Sequence, residues 1–138
     1  MSRTVELDLE IYTFDIDVAG HVSNISYIRW LEIGRLRLLT EVGLPAEQLM
    51  RDGIVPVIVR TEIDYRVALT LGEPVHLSLH LVELGAARAK LSFRIASLDR
   101  VAATAVQTGI FVSAETGKPR RISPEIRVLF DPYLRRAT

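Results

Sequence analysis

Only one stretch of this chain has the spacing of a long helix, and nearly everything after it returns to period two. Over residues 24–42 the apolar set Ile25, Ile28, Leu31, Leu38, Leu39 and Val42 recurs at helical intervals, and Trp30, Ile33 and Leu36 widen the stripe. Gly43 and then Pro45 supply a stop, a C′ glycine followed by a residue that cannot continue the helix. Ahead of the helix, residues 4–12 alternate Val5, Leu7, Leu9 and Ile11 against Glu6, Asp8 and Glu10, as a half-buried strand does. After a loop or short helical turn over 44–53, Val57, Val59, Thr61, Ile63, Tyr65 and Val67 alternate with Ile58, Arg60, Glu62, Asp64 and Arg66. A third strand carries Val75, Leu77, Leu79 and Leu81; a fourth sets Ala89, Leu91, Phe93 and Ile95 against Arg88, Lys90, Ser92 and Arg94; a fifth covers 101–113. Ser123-Pro124-Glu125 reads as N-cap, N1 proline and first-turn acid of a short terminal helix.

Hairpin-length connections between these strands predict a mainly antiparallel sheet, with one long helix available to cover it. The expected fold is α+β: a curved antiparallel five-stranded sheet wrapped around one central helix, with a short C-terminal helix, in a single domain over residues 1–138. One helix cannot cover both faces, so Ile58, Val82, Val106 and Val112 are expected on the outer face, where a homodimer or homotetramer would bury them. Gly34 costs up to about 1 kcal/mol against alanine inside a helix, which points to close approach of another backbone. Ala102, Ala103, Ala105 and Gly109 favour close packing or a subunit interface.

Composition then removes whole classes of function. A chain of 138 residues with 49% hydrophobic content can bury a core without staples. Basic and acidic residues number 17 each, so there is no broad electrostatic case for nucleic acid or an acidic membrane as partner. The absence of cysteine excludes disulfides, thiolate zinc sites and cysteine nucleophiles. The N-terminus lacks the apolar core of a signal peptide, and no run approaches the ~20 apolar residues that span a bilayer, so a soluble cytoplasmic protein is expected. His76 and His80 lie four apart on a strand, about 13 Å, too far for one metal.

The residues suited to chemistry precede the helix: Tyr12-Thr13-Phe14-Asp15-Ile16-Asp17-Val18-Ala19-Gly20-His21-Val22-Ser23-Asn24-Ile25-Ser26-Tyr27. A carboxylate just ahead of a helix sits near unpaired backbone N–H groups and the positive end of the dipole. Thioester hydrolysis needs that combination, a carboxylate to attack or to activate water and N–H donors for the oxygen that turns negative. Turn and capping chemistry use the same residues, so spacing alone leaves both readings open.

The segment closely resembles the Asp-x-Asp-x-x-Gly-His-Val-Asn-Asn-x-x-Tyr motif of the 4-hydroxybenzoyl-CoA thioesterase-like family, which are hotdog-fold acyl-CoA thioesterases. Similarity continues through Asp64-Tyr65-Arg66, Leu71-Gly72-Glu73, Leu84-Gly85 and Glu115-Thr116-Gly117-Lys118-Pro119-Arg120. The resemblance implies a hotdog fold and hydrolysis of an acyl-CoA with no metal or redox cofactor. It implies Asp17 as the catalytic carboxylate, the Asn24 backbone N–H as oxyanion donor, and Gly20 as the residue that lets the loop turn. Ser23 stands where the family has its first asparagine, and still serves as an N-cap.

His21 matches the motif, either as a group that orients the loop, touches substrate or assists proton transfer, or as a structural histidine. Asp15 is read as loop-shaping, because two catalytic acids so close would raise one another's pKa. Tyr27 is a pocket or packing residue, and Glu32 and Arg35 are expected to pair at i, i+3. Arg88 and Lys90, with Arg94, form either a solvated strand face or a site for CoA phosphates, with Arg60, Arg66, Arg120 and Arg121 as further candidates. The rival functions are an acyl-carrier-protein thioesterase and a non-catalytic acyl-CoA or acyl-carrier binding module on the same fold.

Overall fold

The computed structural model describes residues 2–135. Its order is β1 (Val5–Leu9), α1 (Asn24–Glu41), α2 (Ala46–Arg51), β2 (Ile54–Tyr65), β3 (Val75–Leu84), β4 (Arg88–Ser97), β5 (Arg100–Ser113), β6 (Pro119–Arg120) and α3 (Pro124–Phe130). Five strands form one antiparallel path, β1-β3-β4-β5-β2, and the two-residue β6 adds to β5. The five-stranded sheet on a single long helix matches the sequence reading, and α2 falls where a loop or short helical turn was expected; the two-residue β6 is an addition too short to announce itself by periodicity.

Helix α1 begins where Ser23 accepts the Ile25 N–H on its hydroxyl, and ends with Gly43 at φ +85°. Gly43 N–H donates to the Thr40 carbonyl and Leu44 N–H to the Leu39 carbonyl, the paired bonds of a Schellman stop. The helix lies on the inner face of the sheet, where Leu31 and Leu38 bury against rows such as Leu7–Leu77–Ile95–Ala103 and Val5–Leu79–Phe93–Ala105. Gly34 sits over these rows: a Cβ there would come within 2.9 Å of Leu77 Cδ2. The close neighbour is therefore a packed side chain, not the backbone that the sequence suggested.

A bulge corrects another expectation. The register of β2 against β5 shifts between Ile58 and Arg60, so Val59 is the extra residue and is exposed. The slip moves Ile58 to the inner face, opposite Gly109 and in line with Thr61, Ile63 and Tyr65. Ile58 is thus not an outer-face residue, and Val82, Val106 and Val112 are only partly exposed. More exposed apolar residues occur instead on α1, at Ile25, Ile28, Ile33 and Leu36. Among the described residues no helix is long and apolar enough to cross a membrane.

Candidate active site

The loop between β1 and α1 is organised by Asp15. Its side chain is buried, accepting the Tyr12 N–H at 2.8 Å and the Ser26 hydroxyl at 2.7 Å, while its carbonyl accepts the Ser23 N–H. These bonds tie the start of the loop to the first turn of α1. Asp17, two residues on, is exposed at the tip of a small β-bridge between Ile16 and Val22. Its N–H donates to the His21 carbonyl at 2.9 Å, and its carbonyl accepts the Gly20 N–H at 3.0 Å. Gly20 has φ +82°, the left-handed conformation that closes this turn and that a glycine adopts without a Cβ penalty.

The two oxygens of the Asp17 carboxylate are not equivalent. Oδ1 accepts the Ala19 N–H at 2.9 Å and the His21 N–H at 3.4 Å. Oδ2 accepts no hydrogen bond among the described residues. The backbone N–H of Asn24, the first residue of α1, likewise has no partner among them, whereas those of Ile25, Ser26 and Tyr27 all bond to Ser23. A fixed carboxylate with one free oxygen and an unspent N–H at the positive end of an 18-residue helix thus line one cleft.

That cleft, about 340 Å³, is lined by Asp17, His21, Asn24, Tyr27, Tyr65 and Arg66, with Val22, Val67 and Ala68 completing its wall. His21 is exposed, and its ring makes no hydrogen bond among the described residues. Tyr27 is buried, edge-on to Tyr65 at 5.1 Å and to Trp30 at 5.3 Å. Burial, then the neighbouring Tyr65 and Glu73, push its phenol above the ordinary 10.0, so it stays a neutral hydroxyl.

Val67 and Ala68 were not legible in advance, since small apolar loop residues carry no chemical signal. They are held in place by Leu69, whose carbonyl accepts the Val22 N–H at 2.9 Å. The following turn is pinned by Glu73, which accepts from the Thr70 N–H and hydroxyl, from Ser97 and from Arg100.

Of the sequence-predicted site residues, Asp17, Gly20, His21, Asn24 and Tyr27 come together at or around this cleft, but Arg88 and Lys90 do not. They start β4 on the outer face, and the Tyr65 row crosses that strand at Ile95, about 23 Å along from Arg88 and about 17 Å from Lys90. Lys90 pairs with Glu83 at 3.6 Å, and the cleft's own cation is Arg66. The Glu32–Arg35 pair is also absent: Arg35 Nη1 donates to Gln107 Oε1 at 2.6 Å, across the helix–sheet seam. A deep side-chain acceptor on β5 outcompetes a solvent-exposed partner one turn away. His76 lies on the outer face against Asp8 and Glu6, and no three such side chains among the described residues are placed to hold a metal.

Comparison with known proteins bears on the fold and the family. A DHNA-CoA thioesterase from Staphylococcus aureus superposes with TM-score 0.86 at 18% identity, over 94% of this chain and 88% of that one. A thioesterase of Thermus thermophilus, complexed with coenzyme A and Zn, superposes with TM-score 0.79 at 22% identity, over 91% and 90%. These likenesses establish the hotdog fold. The Bacillus subtilis (strain 168) protein named "Putative acyl-CoA thioesterase YneP" is 27% identical over 66 residues, which is 48% of each chain, so the match spans about half the length of that relative. The model of the thioesterase-like superfamily matches residues 12–130, from the loop that carries Asp17 to the end of α3. With that span covered, the chain belongs to the thioesterase-like superfamily.

Proposed function

We propose that this protein hydrolyses an acyl-CoA to a carboxylic acid and CoA, working in the cytoplasm as a homodimer or homotetramer. The observation that carries the reading is the pairing, in one cleft, of a held Asp17 carboxylate with a free Oδ2 and the unspent Asn24 N–H. The thioester carbonyl oxygen accepts the Asn24 N–H, and the helix dipole favours the negative charge that grows there. Asp17 Oδ2 then adds to the carbonyl carbon, CoA leaves as thiolate, and water opens the mixed anhydride; in the alternative order, Oδ2 takes a proton from the water that attacks. Gly20 keeps the loop turned towards the helix, and His21 stands at the cleft to contact substrate or return a proton to the thiolate. Tyr27 forms the wall beside the acyl group.

Asp17→Asn keeps the shape of the side chain and removes the attacking or basic oxygen. It is expected to fold as the parent does and to lose turnover by about 100-fold or more, read by thiol release from a panel of short, long, branched and aromatic acyl-CoAs. Turnover within a few-fold of the parent would overturn the assignment. Offering one acyl group on CoA and on an acyl-carrier protein separates the two carriers.

Arg66 is the cation placed to meet the CoA phosphates, with Arg88 and Lys90 as the more distant pair. Arg66→Ala is expected to raise KM for acyl-CoA about five-fold with little change in kcat, and to leave an acyl-pantetheine unaffected. If Arg88→Ala/Lys90→Ala moves KM and Arg66→Ala does not, the phosphates lie on β4 instead.

A further inference from the structure

A second cavity, about 240 Å³, lies between the C-terminal half of α1 and the sheet. It exists because one inner-face row reads Leu84–Ala89–Gly109–Ile58, whose two middle members are too small to fill the space beneath the helix. Leu36, Leu39, Leu84, Phe111 and Phe130 complete apolar walls. The next row reads Leu81–Leu91–Gln107–Thr61, and so places an amide among leucines at the cavity's edge.

Gln107 is 2% exposed, and both ends of its amide are spent: Oε1 accepts from Arg35 Nη1 at 2.6 Å and Nε2 donates to Thr61 Oγ1 at 3.0 Å. Arg35, which lines the cavity, is therefore anchored by a neutral group. Its Nε and Nη2 make no hydrogen bond among the described residues, and no carboxylate among them comes within 4.0 Å of it. Burial lowers its pKa and Glu32, which also borders the cavity, raises it, without an ion pair between the two. A guanidinium partly withdrawn from water and left without an anion is an uncompensated charge. Its open Nε–Nη2 edge has the fork geometry that takes a carboxylate through two parallel bonds.

We propose that this cavity binds an apolar carboxylate, with the carboxylate on the open edge of Arg35 and the hydrocarbon between Leu39, Ile58 and Phe130. Two sources share that chemistry: a free carboxylic acid of the kind an acyl thioester releases, and an acyl group that carries a second carboxylate at its far end. Only the second source rests on the thioesterase reading.

Titration calorimetry of the purified protein with octanoate and with 1-octanol tests the site without reference to turnover. Octanoate is expected to bind about ten-fold more tightly than the alcohol, the difference being the carboxylate's pairing with Arg35. Arg35→Met should erase that gap at unchanged oligomeric state, and Ala89→Leu should weaken both ligands by filling the row. Gln107→Glu, nearly isosteric, gives Arg35 a resident anion and should weaken octanoate alone.

Equal binding of acid and alcohol by the parent, or a gap that survives in both Arg35→Met and Gln107→Glu, would overturn the proposal. Comparing kcat/KM for acyl-CoAs of one length ending in carboxylate or methyl separates the sources. A preference for the carboxylate that Arg35→Met removes assigns the site to substrate, and octanoate binding without that preference assigns it to the free acid. Octanoate binding in a protein that cleaves no thioester would sink the functional reading and leave this site standing.

Discussion

Two aspartates separated by one residue have opposite surroundings, and different roles are proposed for them. Asp15 is buried with two donors aimed at it, Tyr12 N–H and Ser26 Oγ, and Asp17 is exposed with one oxygen held and one free. Asp15→Ala strands a partly buried N–H and a buried hydroxyl, so it is expected to cost about 2 kcal/mol of stability, read as a lower midpoint in urea. Turnover per folded molecule should fall far less than in Asp17→Asn, and the reverse ranking would show that the two roles are exchanged. The sequence suggested different roles, because two catalytic acids so close would raise one another's pKa, and the structure adds that one is buried and the other exposed. What the sequence could not carry was the preference of Arg35 for Gln107 over Glu32, since that choice depends on a residue 72 positions away in the chain.

At the scale of elements, the edge strand β1 is held to β3 by a side-chain clamp as well as by its ladder. His76 Nδ1 lies 2.9 Å from Asp8 Oδ1 and Nε2 lies 3.2 Å from Glu6 Oε1. The bonds to Asp8 and then to Glu6 raise the pKa of His76 above its ordinary 6.5, outweighing the opposing effect of burial. A raised histidine pKa means that folding favours the protonated form, so the clamp's contribution is complete below the ordinary pKa and fades as pH climbs through the raised one. All three side chains are substantially exposed, which keeps the effect small.

Thermal midpoints of the parent and of His76→Asn, measured between about pH 5.5 and pH 9, should differ most at the acid end and converge at the alkaline end. A constant difference would remove the clamp. Period two was enough to locate β1, β3 and β4 in the sequence, because their alternation is unbroken where they face the helix. It misplaced Ile58, because a one-residue bulge reverses every facing after it and leaves no mark in composition.

For the whole molecule, the open features are a strand edge and a helix face. The sheet path ends on β2, a 12-residue strand whose outer edge has no partner among the described residues. This strand exposes Val59, and α1 adds Ile25, Ile28, Ile33 and Leu36. An unpaired long edge and exposed apolar side chains are features that proteins ordinarily cover, and a second copy would cover them by symmetry. Light scattering is therefore expected to give twice the 15.5 kDa of the chain or a higher even multiple. A 15.5 kDa species at micromolar concentration would refute the assembly. The sequence reading reached the same expectation from the outer face of the sheet, whereas the surface that demands covering is the helix and the strand edge, which no alternation pattern reveals. The aromatic wall of the cleft has an optical consequence. Trp30 is the chain's one tryptophan, buried edge-on behind Tyr27, and Tyr27 in turn meets Tyr65 at the cleft. The molecule thus carries a single indole emitter one ring removed from where a ligand would sit, and a ligand that tilts either tyrosine will register in its native fluorescence with no dye attached.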